Sequence, residues 1–393
     1  MKISIGNNIT YQDIESFYNM INTGANPDLY IPSNLSSKQM GVYAELIQVM
    51  ITWNRLSKGK LYVNYDKNTL ELDEKLEIMF RRYWNFIAAL MGYQKGIFLS
   101  DNTEITKKVG NIIRERIEFL NKHESWRKGD STFISAIQHS ATPYPSGFYL
   151  SNGTLKSKQE FIEISRNILI EVSTNYIKTT STKFIEENKQ LIGEIIFELI
   201  ENTHFWSQEM YNGSRYNTGV RGLLASVHRG NKDTLLKNCK DDYPFIEYLQ
   251  ELFKSYNENE SIFIMEISVF DSGSGLASKF LQKDISNFKN YDEIYNTIID
   301  CLVKGNTSDI YSGYERGFGL FNIMKLLNEK GFLKIRTNGL KLFRNFIKQP
   351  FNITNPIKRD YHLEDWNIAQ KQSPPSYPTE GTLFSIFIPL KAS

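Results

Sequence analysis

In the first third of the chain, segments with the apolar spacing of a strand alternate with segments that have the apolar spacing of a helix. Short apolar runs bounded by Pro, Gly and Asn predict three strands: Asp28–Ile31, Leu61–Tyr65 and Gly96–Ser100. Between and after them, apolar residues recur every three or four positions and predict helices: Lys38–Leu56, Leu72–Met91 and Thr103–Leu120. Strands that alternate with helices favour parallel pairing through crossover helices, so we expect a three-layer α/β domain at residues 1–142.

The sequence of this first domain offers no recognisable chemistry. It contains neither GxxxxGK followed by Ser or Thr nor GxGxxG, the two glycine patterns that hold nucleotide phosphates. We therefore expect it to have a sensory or docking role. Pro143–Gly147 is the clearest break that follows, and a short strand and a helix over 156–177 then make up a connecting segment at 143–182.

The remaining residues, 183–393, have the patterns of a second domain, in which strands again combine with helices. The patterns predict, in order, a helix, a strand, a helix, a hairpin and a last strand: 191–203, 262–270, 320–330, 332–346 and 381–389. The hairpin is the strongest of these local signals, because Asn338-Gly339 between two apolar runs is typical of a two-residue turn.

Charge and composition narrow the functional classes. The 46 Lys and Arg nearly balance the 44 Asp and Glu, so the net charge of +2 does not indicate nucleic-acid binding. The most apolar stretch, Phe86–Tyr93, is far shorter than the ~20 residues that span a bilayer, and the start lacks the apolar core of a signal peptide. The two cysteines form no CxxC motif. We therefore expect a cytoplasmic protein with no membrane partner.

A carboxylate and an amide share one face of the helix at 191–203. Glu198 and Asn202 are four residues apart, so both side chains reach one spot. Asn202 falls within the apolar arc, where an unpaired amide would cost about 1–3 kcal/mol. The two groups together could hold a water molecule and a metal ion. Read alone, a helix whose polar groups pair with nearby backbone is the simpler interpretation.

A second carboxylate follows the strand at 262–270. Asp271 continues the face that carries Met265, Ile267 and Val269, and a carboxylate at the end of an apolar row needs a donor, for which an adenine amino group is one candidate. Gly273 and Gly275 would let the backbone approach a flat ligand closely. By itself this DxGxG pattern is equally typical of a turn with a solvated Asp.

Two further segments suit a nucleotide only in combination with the others. Gly317-Phe318-Gly319 opens the helix that follows, and glycines at a helix N-terminus leave free N–H groups that suit phosphate. Thr382 shares its parity with Phe384 in the last strand, so its hydroxyl points inward and needs a partner. Taken alone, an ordinary turn explains the glycine segment equally well, and a hydroxyl that bonds to a neighbouring backbone group is the simpler explanation for Thr382.

In this order of helix, DxGxG strand, GxG helix, hairpin and GT strand, the sequence resembles the GHKL superfamily. Its members include the ATP-binding domains of gyrase-type topoisomerases, large heat-shock chaperones, MutL-type repair proteins and histidine kinases. The resemblance covers 183–390. It implies an α+β sandwich in which helices cover one face of a mostly antiparallel sheet, with ATP between the helices and the sheet.

The resemblance also implies a role for each candidate residue. Glu198 matches the general base that activates the attacking water, and Asn202 matches the magnesium ligand. Asp271 matches the carboxylate that reads adenine. The other matches lie beside the base or receive the phosphates: Gly273, Gly275 and Thr382 at the base, and Gly317, Phe318 and Gly319 at the phosphates. ATP and Mg²⁺ are the cofactors that it implies.

Three features depart from the family pattern. Thr203-His204-Phe205-Trp206 is bulkier than the residues that many members carry after the Asn. The stretch from Ser207 to Glu260 is long for its position, and we interpret it as a solvated insertion. We expect no counterpart of the downstream domain that supplies a catalytic Lys in gyrase-type and MutL-type members. Residues 300–316 would form the lid over the triphosphate.

The expected function is Mg²⁺-dependent ATP binding with slow hydrolysis, in which lid closure is coupled to a protein partner or to a homodimer. Two alternatives stay open. Histidine-kinase-like phosphotransfer would need a phosphoacceptor, for which His123 and His139 are weak candidates. A nucleotide sensor or interaction module without turnover would need only the binding pocket.

Overall fold

The structure is a computed structural model that describes residues 1–64, 71–122, 126–138, 144–176, 182–216, 218–239, 241–257, 260–303, 305, 317–369 and 379–391. Short strands near the N-terminus form a parallel sheet in chain order: β1 (Lys2–Ser4), β2 (Asp28–Ile31), β3 (Leu61–Val63) and β4 (Ile97–Leu99). Every pair of neighbours in this sheet is parallel. The three predicted strands and their parallel pairing are confirmed, and β1 is an addition that the sequence patterns did not predict.

Helices alternate with these strands: α1 (Tyr11–Asn22), α2 (Val42–Leu56), α3 (Leu72–Phe80), α4 (Tyr83–Gly92) and α5 (Thr106–Lys122). The helix expected over Leu72–Met91 is two helices, because Arg82 between α3 and α4 is extended (φ −95°, ψ 123°). α1, which was not predicted, begins at a capping box in which the Thr10 and Asp13 side chains each accept from the other residue's backbone N–H. We call residues 1–122 the N-terminal unit.

The N-terminal unit has its helices in one layer. α2 packs against α1 and α4, and α5 packs against α3 and α4. Ile3, Leu29, Leu61 and Ile97 are fully buried, whereas Tyr30 on the opposite side of the sheet is partly exposed. The expected three-layer arrangement is therefore wrong. A parallel sheet in chain order with right-handed crossovers carries all its helices on one face.

An eight-stranded sheet follows, with the order β11-β10-β9-β12-β8-β7-β6-β5. Its strands are β5 (Trp126–Lys128), β6 (Ser131–Ile137), β7 (Val220–Gly230), β8 (Ile262–Asp271), β9 (Phe332–Thr337), β10 (Leu340–Asn345), β11 (Glu364–Asp365) and β12 (Thr382–Leu390). All of these pairings are antiparallel. The hairpin at Asn338-Gly339 is confirmed, since Thr337 pairs with Leu340 across it.

The helices of this second part are α6 (Lys158–Ser173), α7 (Thr182–Trp206), α8 (Lys232–Lys237), α9 (Tyr243–Leu252), α10 (Leu276–Leu281), α11 (Tyr291–Leu302), α12 (Gly319–Leu327) and α13 (Trp366–Ala369). With the parallel sheet of the N-terminal unit, they make the molecule a mixed α/β fold, as expected. None of the helices in the described part of the chain could span a bilayer.

The structure corrects two expected boundaries. β5 and β6 fall within residues 1–142 but belong to the large sheet, where β6 pairs with β7. β7 and α9 fall within the stretch expected as a solvated insertion, yet Leu223 and Tyr248 are 0% exposed. β7 is buried on both faces, so its apolar residues do not alternate with polar ones and the pattern of a half-buried strand is missing.

The two faces of the large sheet have different coverings. Met265, Ile267 and Val269 of β8 pack with α6, α7 and α12 in one apolar cluster, and we call this side the helix face. By strand parity Asp271 and Thr382 lie on the same side, as predicted. The opposite side, the N-terminal face, carries Glu266, which accepts from the backbone N–H of Gly41 just before α2 (2.9 Å).

On the N-terminal face, charged side chains lie among apolar residues such as Phe270 and Leu383. Arg336 of β9 donates from Nε to Glu45 of α2 (2.5 Å) and from Nη2 to Glu15 of α1. Lys341 of β10 lies 3.4 Å from Glu15, and its side chain is 0% exposed. Helices therefore cover both faces of the large sheet, whereas the family resemblance implied helices on one face.

Candidate functional site

Two segments predicted to meet do so where α7 passes the start of α12. Gly319, the first residue of α12, comes so close to α7 that a β-carbon there would lie 3.1 Å from Oε2 of Glu198 and 3.1 Å from Nδ2 of Asn202. A side chain at position 319 would therefore press on both groups. We call the group formed by Glu198, Asn202 and Gly319 the α12 end of the site.

Glu198 is held by two donors. Its Oε1 accepts from Nζ of Lys158 (3.1 Å) and from Nδ2 of Asn322 (3.1 Å), and its side chain is 6% exposed. Neither donor was predicted. Asn322 lies three residues after Gly319, so the helix that brings the glycine to Glu198 also brings the amide. Lys158 comes from α6, which was expected to be only a connecting segment.

Asn202 keeps its amide oxygen available. Its Nδ2 donates to the backbone oxygen of Glu198 (2.8 Å), and no described residue donates to its Oδ1. Within the described residues no group of three or more His, Cys, Asp or Glu side chains could hold a metal. A metal here would need oxygens from Asn202, from water and from a ligand, which is how Mg²⁺ is commonly bound beside phosphates.

The start of α12 is suited to an anion. Gly317, two residues earlier, has φ +87°, a left-handed conformation that glycine adopts without strain. Phe318 follows and provides no side-chain cap for the helix. An anion could therefore satisfy the first N–H groups of α12 and interact with its positive end. Of the expected lid, residues 304 and 306–316 lie outside the described residues.

Asp271 forms the other end of the site. Its Oδ1 accepts from the backbone N–H of Gly273 (2.8 Å) and of Thr382 (3.3 Å), whereas no described residue donates to Oδ2. Burial raises the pKa of Asp271 to about 6, although the two backbone donors and the charge of Arg221 act in the opposite direction. A buried carboxylate with one unused oxygen is an acceptor for a donor from outside the chain.

The loop after Asp271 is fixed by the hairpin turn. Gly275 has φ +86°, and a β-carbon there would lie 2.5 Å from Oδ1 of Asn338. The same oxygen accepts from the N–H of Ala277 (2.8 Å), and Nδ2 of Asn338 donates to the oxygen of Ser274 (3.0 Å). This turn therefore sets the path of the glycine loop. We call the group of Asp271, Gly273, Gly275 and Thr382 the β8 end of the site.

Thr382 has the inward orientation that its parity predicted. It lies opposite Asp271 in β8 and opposite Thr337 in β9. Its hydroxyl is 3.3 Å from the hydroxyl of Thr337 and the residue is 4% exposed. The partner that the hydroxyl needs is therefore within the protein, and a water or ligand would share it with Thr337.

α7 connects the two ends. Ser207, which follows α7, lies against Gly273, since a β-carbon on Gly273 would be 3.0 Å from Cα of Ser207. Glu198 and Ser207 are about 13 Å apart along the helix axis at ~1.5 Å per residue. That span is comparable with the length of an extended nucleoside triphosphate. The four segments that the motif order singled out thus border one region of the helix face.

The N-terminal unit also reaches the β8 end, which the sequence did not predict. Gln48 of α2 is fully buried and donates from Nε2 to the backbone oxygens of Asp271 (3.2 Å) and Glu380. Thr52 accepts from the N–H of Glu380 (3.2 Å), and Arg55 donates to the oxygen of Thr218 (2.6 Å). The available signal was the spacing of Gln48, Thr52 and Arg55, which lie at positions i, i+4 and i+7 of a largely apolar helix.

Comparisons with known proteins add no further identification. No protein-family model, no curated protein and no solved structure matched the chain.

Proposed function

We propose that this chain binds ATP with Mg²⁺ on the helix face of the large sheet and hydrolyses it slowly, as a conformational switch. The observation that carries the proposal is the meeting of Gly319 with Glu198 and Asn202. Gly319 lies more than a hundred positions after Glu198 and Asn202 in the sequence, and the order of motifs predicted that the three belong together. The β8 end supplies an unused buried carboxylate oxygen on the same face.

In this proposal the base lies at the β8 end and the phosphates at the α12 end. The adenine amino group would donate to Oδ2 of Asp271, and Gly273 would allow the ring to approach the backbone. The N-terminus of α12, a helix of nine residues, would bind the phosphates through its N–H groups and its dipole. Placing the ends this way follows the resemblance to GHKL proteins.

Asn202 would hold magnesium through Oδ1, together with phosphate oxygens and water. The ion would neutralise charge on the phosphates. Glu198, next to it, would orient the attacking water and accept its proton. A cytosolic location suits this proposal, because Cys239 and Cys301 are both free. A protein partner or a second copy of the chain would respond to the closure of the site.

Binding is tested by titrating the full chain with a fluorescent ATP analogue and recording anisotropy. Asp271→Asn should weaken binding at least ~10-fold, because an amide cannot accept the adenine hydrogen bond as a carboxylate does. The control is Asp73→Asn, since Asp73 has a 73% exposed side chain and lies outside the site. Wild-type affinity in Asp271→Asn would contradict the assigned contact, and no binding by the wild-type chain would end the proposal.

Hydrolysis is tested with γ-labelled ATP. We expect labelled free phosphate from the wild-type chain, and Glu198→Gln should keep binding but lose this release. Label retained on the protein at a histidine would instead show a kinase; His123 and His139, the candidates for that role, lie outside the described residues. ATP that stays bound and intact would show a sensor. The contact of α2 with the β8 end favours the sensor as the second candidate, because the N-terminal unit would respond to a nucleotide bound there.

A further inference from the structure

A lysine from outside the segment that resembles GHKL proteins lies against Glu198. Lys158 is the first residue of α6, where Ser157 and Glu160 form a capping box that fixes the start of the helix. Its Nζ is 3.1 Å from Oε1 of Glu198 and 3.9 Å from Oε2 of Glu194. The Lys158 side chain is 41% exposed, so its ammonium group lies at the rim of the site rather than in the core.

The two oxygens of Glu198 have different surroundings. Oε1 accepts from Lys158 and Asn322, whereas Oε2 is the oxygen that faces the start of α12. A water that bridges Glu198 to a phosphate at α12 would therefore bind Oε2. The positive charge of Lys158 would remain beside Oε1 of the same carboxylate.

Stability alone gives a weak reason for this ion pair. An ion pair with one partly exposed member contributes little to folding. Lys189 already joins the same two helices, through Glu163 of α6 (3.5 Å) and Glu186 of α7 (2.7 Å). Within the described residues Lys158 is the cation that pairs with Glu198.

We propose that Lys158 is a catalytic residue, whose ammonium group contacts the γ-phosphate and offsets the charge that develops there during hydrolysis. This inference rests on the proposed function. A carboxylate that approaches a triphosphate is repelled by it, and a cation shared between the two removes that repulsion where the reaction occurs. A cation that acts mainly on the transition state changes kcat more than it changes affinity.

The step balances without a further reactant. The water oxygen forms a bond to the γ-phosphorus while the bond from that phosphorus to the β,γ-bridging oxygen breaks. ADP leaves with the electron pair of the broken bond, and the proton of the water passes to Glu198. Lys158 stays protonated throughout and supplies charge alone.

The test is steady-state phosphate release by the full chain carrying Lys158→Met. We expect kcat to fall ~100-fold, the usual effect of removing one preorganised charge or donor from a transition state. The Kd for ADP, measured by displacement of the fluorescent analogue, should stay within about 2-fold, because ADP lacks the γ-phosphate that Lys158 contacts. Lys158→Arg keeps the charge and should retain most of the activity.

Lys189→Met is the matched control, because it removes an ion pair between the same two helices away from the site. Its kcat should equal that of the wild type, and thermal melting of both variants checks that the fold survives. Unchanged kcat in Lys158→Met, or an equal loss in Lys189→Met, would overturn the role of Lys158 and leave the proposed function standing. A wild-type chain that releases no phosphate would overturn hydrolysis itself, and the role of Lys158 with it.

Discussion

The helix face and the N-terminal face of the large sheet are both buried, but they are built differently. On the helix face Met265, Ile267 and Val269 pack against apolar side chains of α6, α7 and α12. On the N-terminal face Arg336 and Lys341 lie between Glu15 and Glu45 with side chains at most 1% exposed. The helix face of these strands is therefore apolar, whereas the N-terminal face combines apolar residues such as Phe270 and Leu383 with buried, paired charges.

The difference concerns how each face tolerates change. Apolar packing is non-directional, so the helix face can adjust to small alterations of shape at modest cost. Buried charges gain little over an apolar core when they are fully paired, but they are costly when one partner is lost. The buried charges of the N-terminal face therefore favour one arrangement of the N-terminal unit on the sheet.

The largest effect should come from breaking the charge balance of the N-terminal face. Arg336→Met leaves two buried carboxylates with Lys341 as their remaining cation, and we expect a loss of about 3–5 kcal/mol in the free energy of unfolding. Urea unfolding followed by tryptophan fluorescence measures it. Arg336→Met combined with Glu45→Gln restores equal numbers of charges and should recover part of the loss. If the double variant is no more stable than the single one, charge pairing does not determine the stability of this face.

The second effect concerns pH and the single buried carboxylate at the β8 end. Burial raises the pKa of Asp271 from 3.8 to about 6, so the folded chain binds this proton more tightly than the unfolded chain does. The contribution of Asp271 to stability is therefore greatest below pH ~4 and falls as the pH rises to ~6, by roughly 3 kcal/mol in all.

Asp271→Asn isolates this contribution, because the difference in free energy of unfolding between the variant and the wild type should change with pH only over that interval. A flat difference from pH 4 to 7 would contradict the raised pKa. Nucleotide affinity should change in the opposite sense, since the ionised carboxylate is the better acceptor for adenine. The wild-type Kd should therefore fall as the pH rises through 6, and the Kd of Asp271→Asn should not.

A smaller effect is expected on the helix face. Ile386 of β12 is fully buried there, and Ile386→Val should cost about 1 kcal/mol through the loss of one methylene group and the small cavity it leaves. The loss should be the same at low and at high salt, since no charge is involved. A cost above ~3 kcal/mol, or a marked salt dependence, would show that the helix face does not adjust to a small change of shape.

The smallest effect provides a reference for charge pairs outside the core. Lys108 and Asp73 form an ion pair (2.5 Å) with side chains 52% and 73% exposed. Lys108→Met should change the free energy of unfolding by no more than ~0.5 kcal/mol, because water and salt screen an exposed pair. If Lys108→Met lowered the free energy of unfolding as much as Arg336→Met, burial would not explain why the two ion pairs contribute differently to stability.

The parts of the fold that depend on local pattern were predictable from the sequence. Three strands of the parallel sheet, the helices α2, α5, α6, α7 and α12, and the Asn338-Gly339 hairpin follow from hydrophobic period and turn residues. β7 was not predicted, because its apolar residues do not alternate regularly with polar ones and its neighbours in the sheet come from distant parts of the chain. The buried charges were not predictable either, since Arg336 finds Glu45 across 291 positions.

The candidate site divides in the same way. The order of motifs was enough to group Glu198 and Asn202 with Gly319, and the structure brings them together. Lys158 has no local pattern that points to the site, and the spacing of Gln48, Thr52 and Arg55 indicates a shared helix face but not the segment that this face meets. Their positions depend on how α6 and α2 pack on a sheet formed mostly by later segments, and this packing is known only once the chain is folded.

Gln48 has a thermodynamic consequence. One amide bonds the backbone of the strand that carries Asp271 and the segment just before Thr382. If a nucleotide draws those two strand ends together, it strengthens their hydrogen bonds to Gln48 of α2. Thermodynamic linkage then requires that a change in the position of α2 affect nucleotide binding by an equal free energy. A ligand of the N-terminal unit would then change the affinity for ATP by some factor, and ATP would change the affinity for that ligand by the same factor.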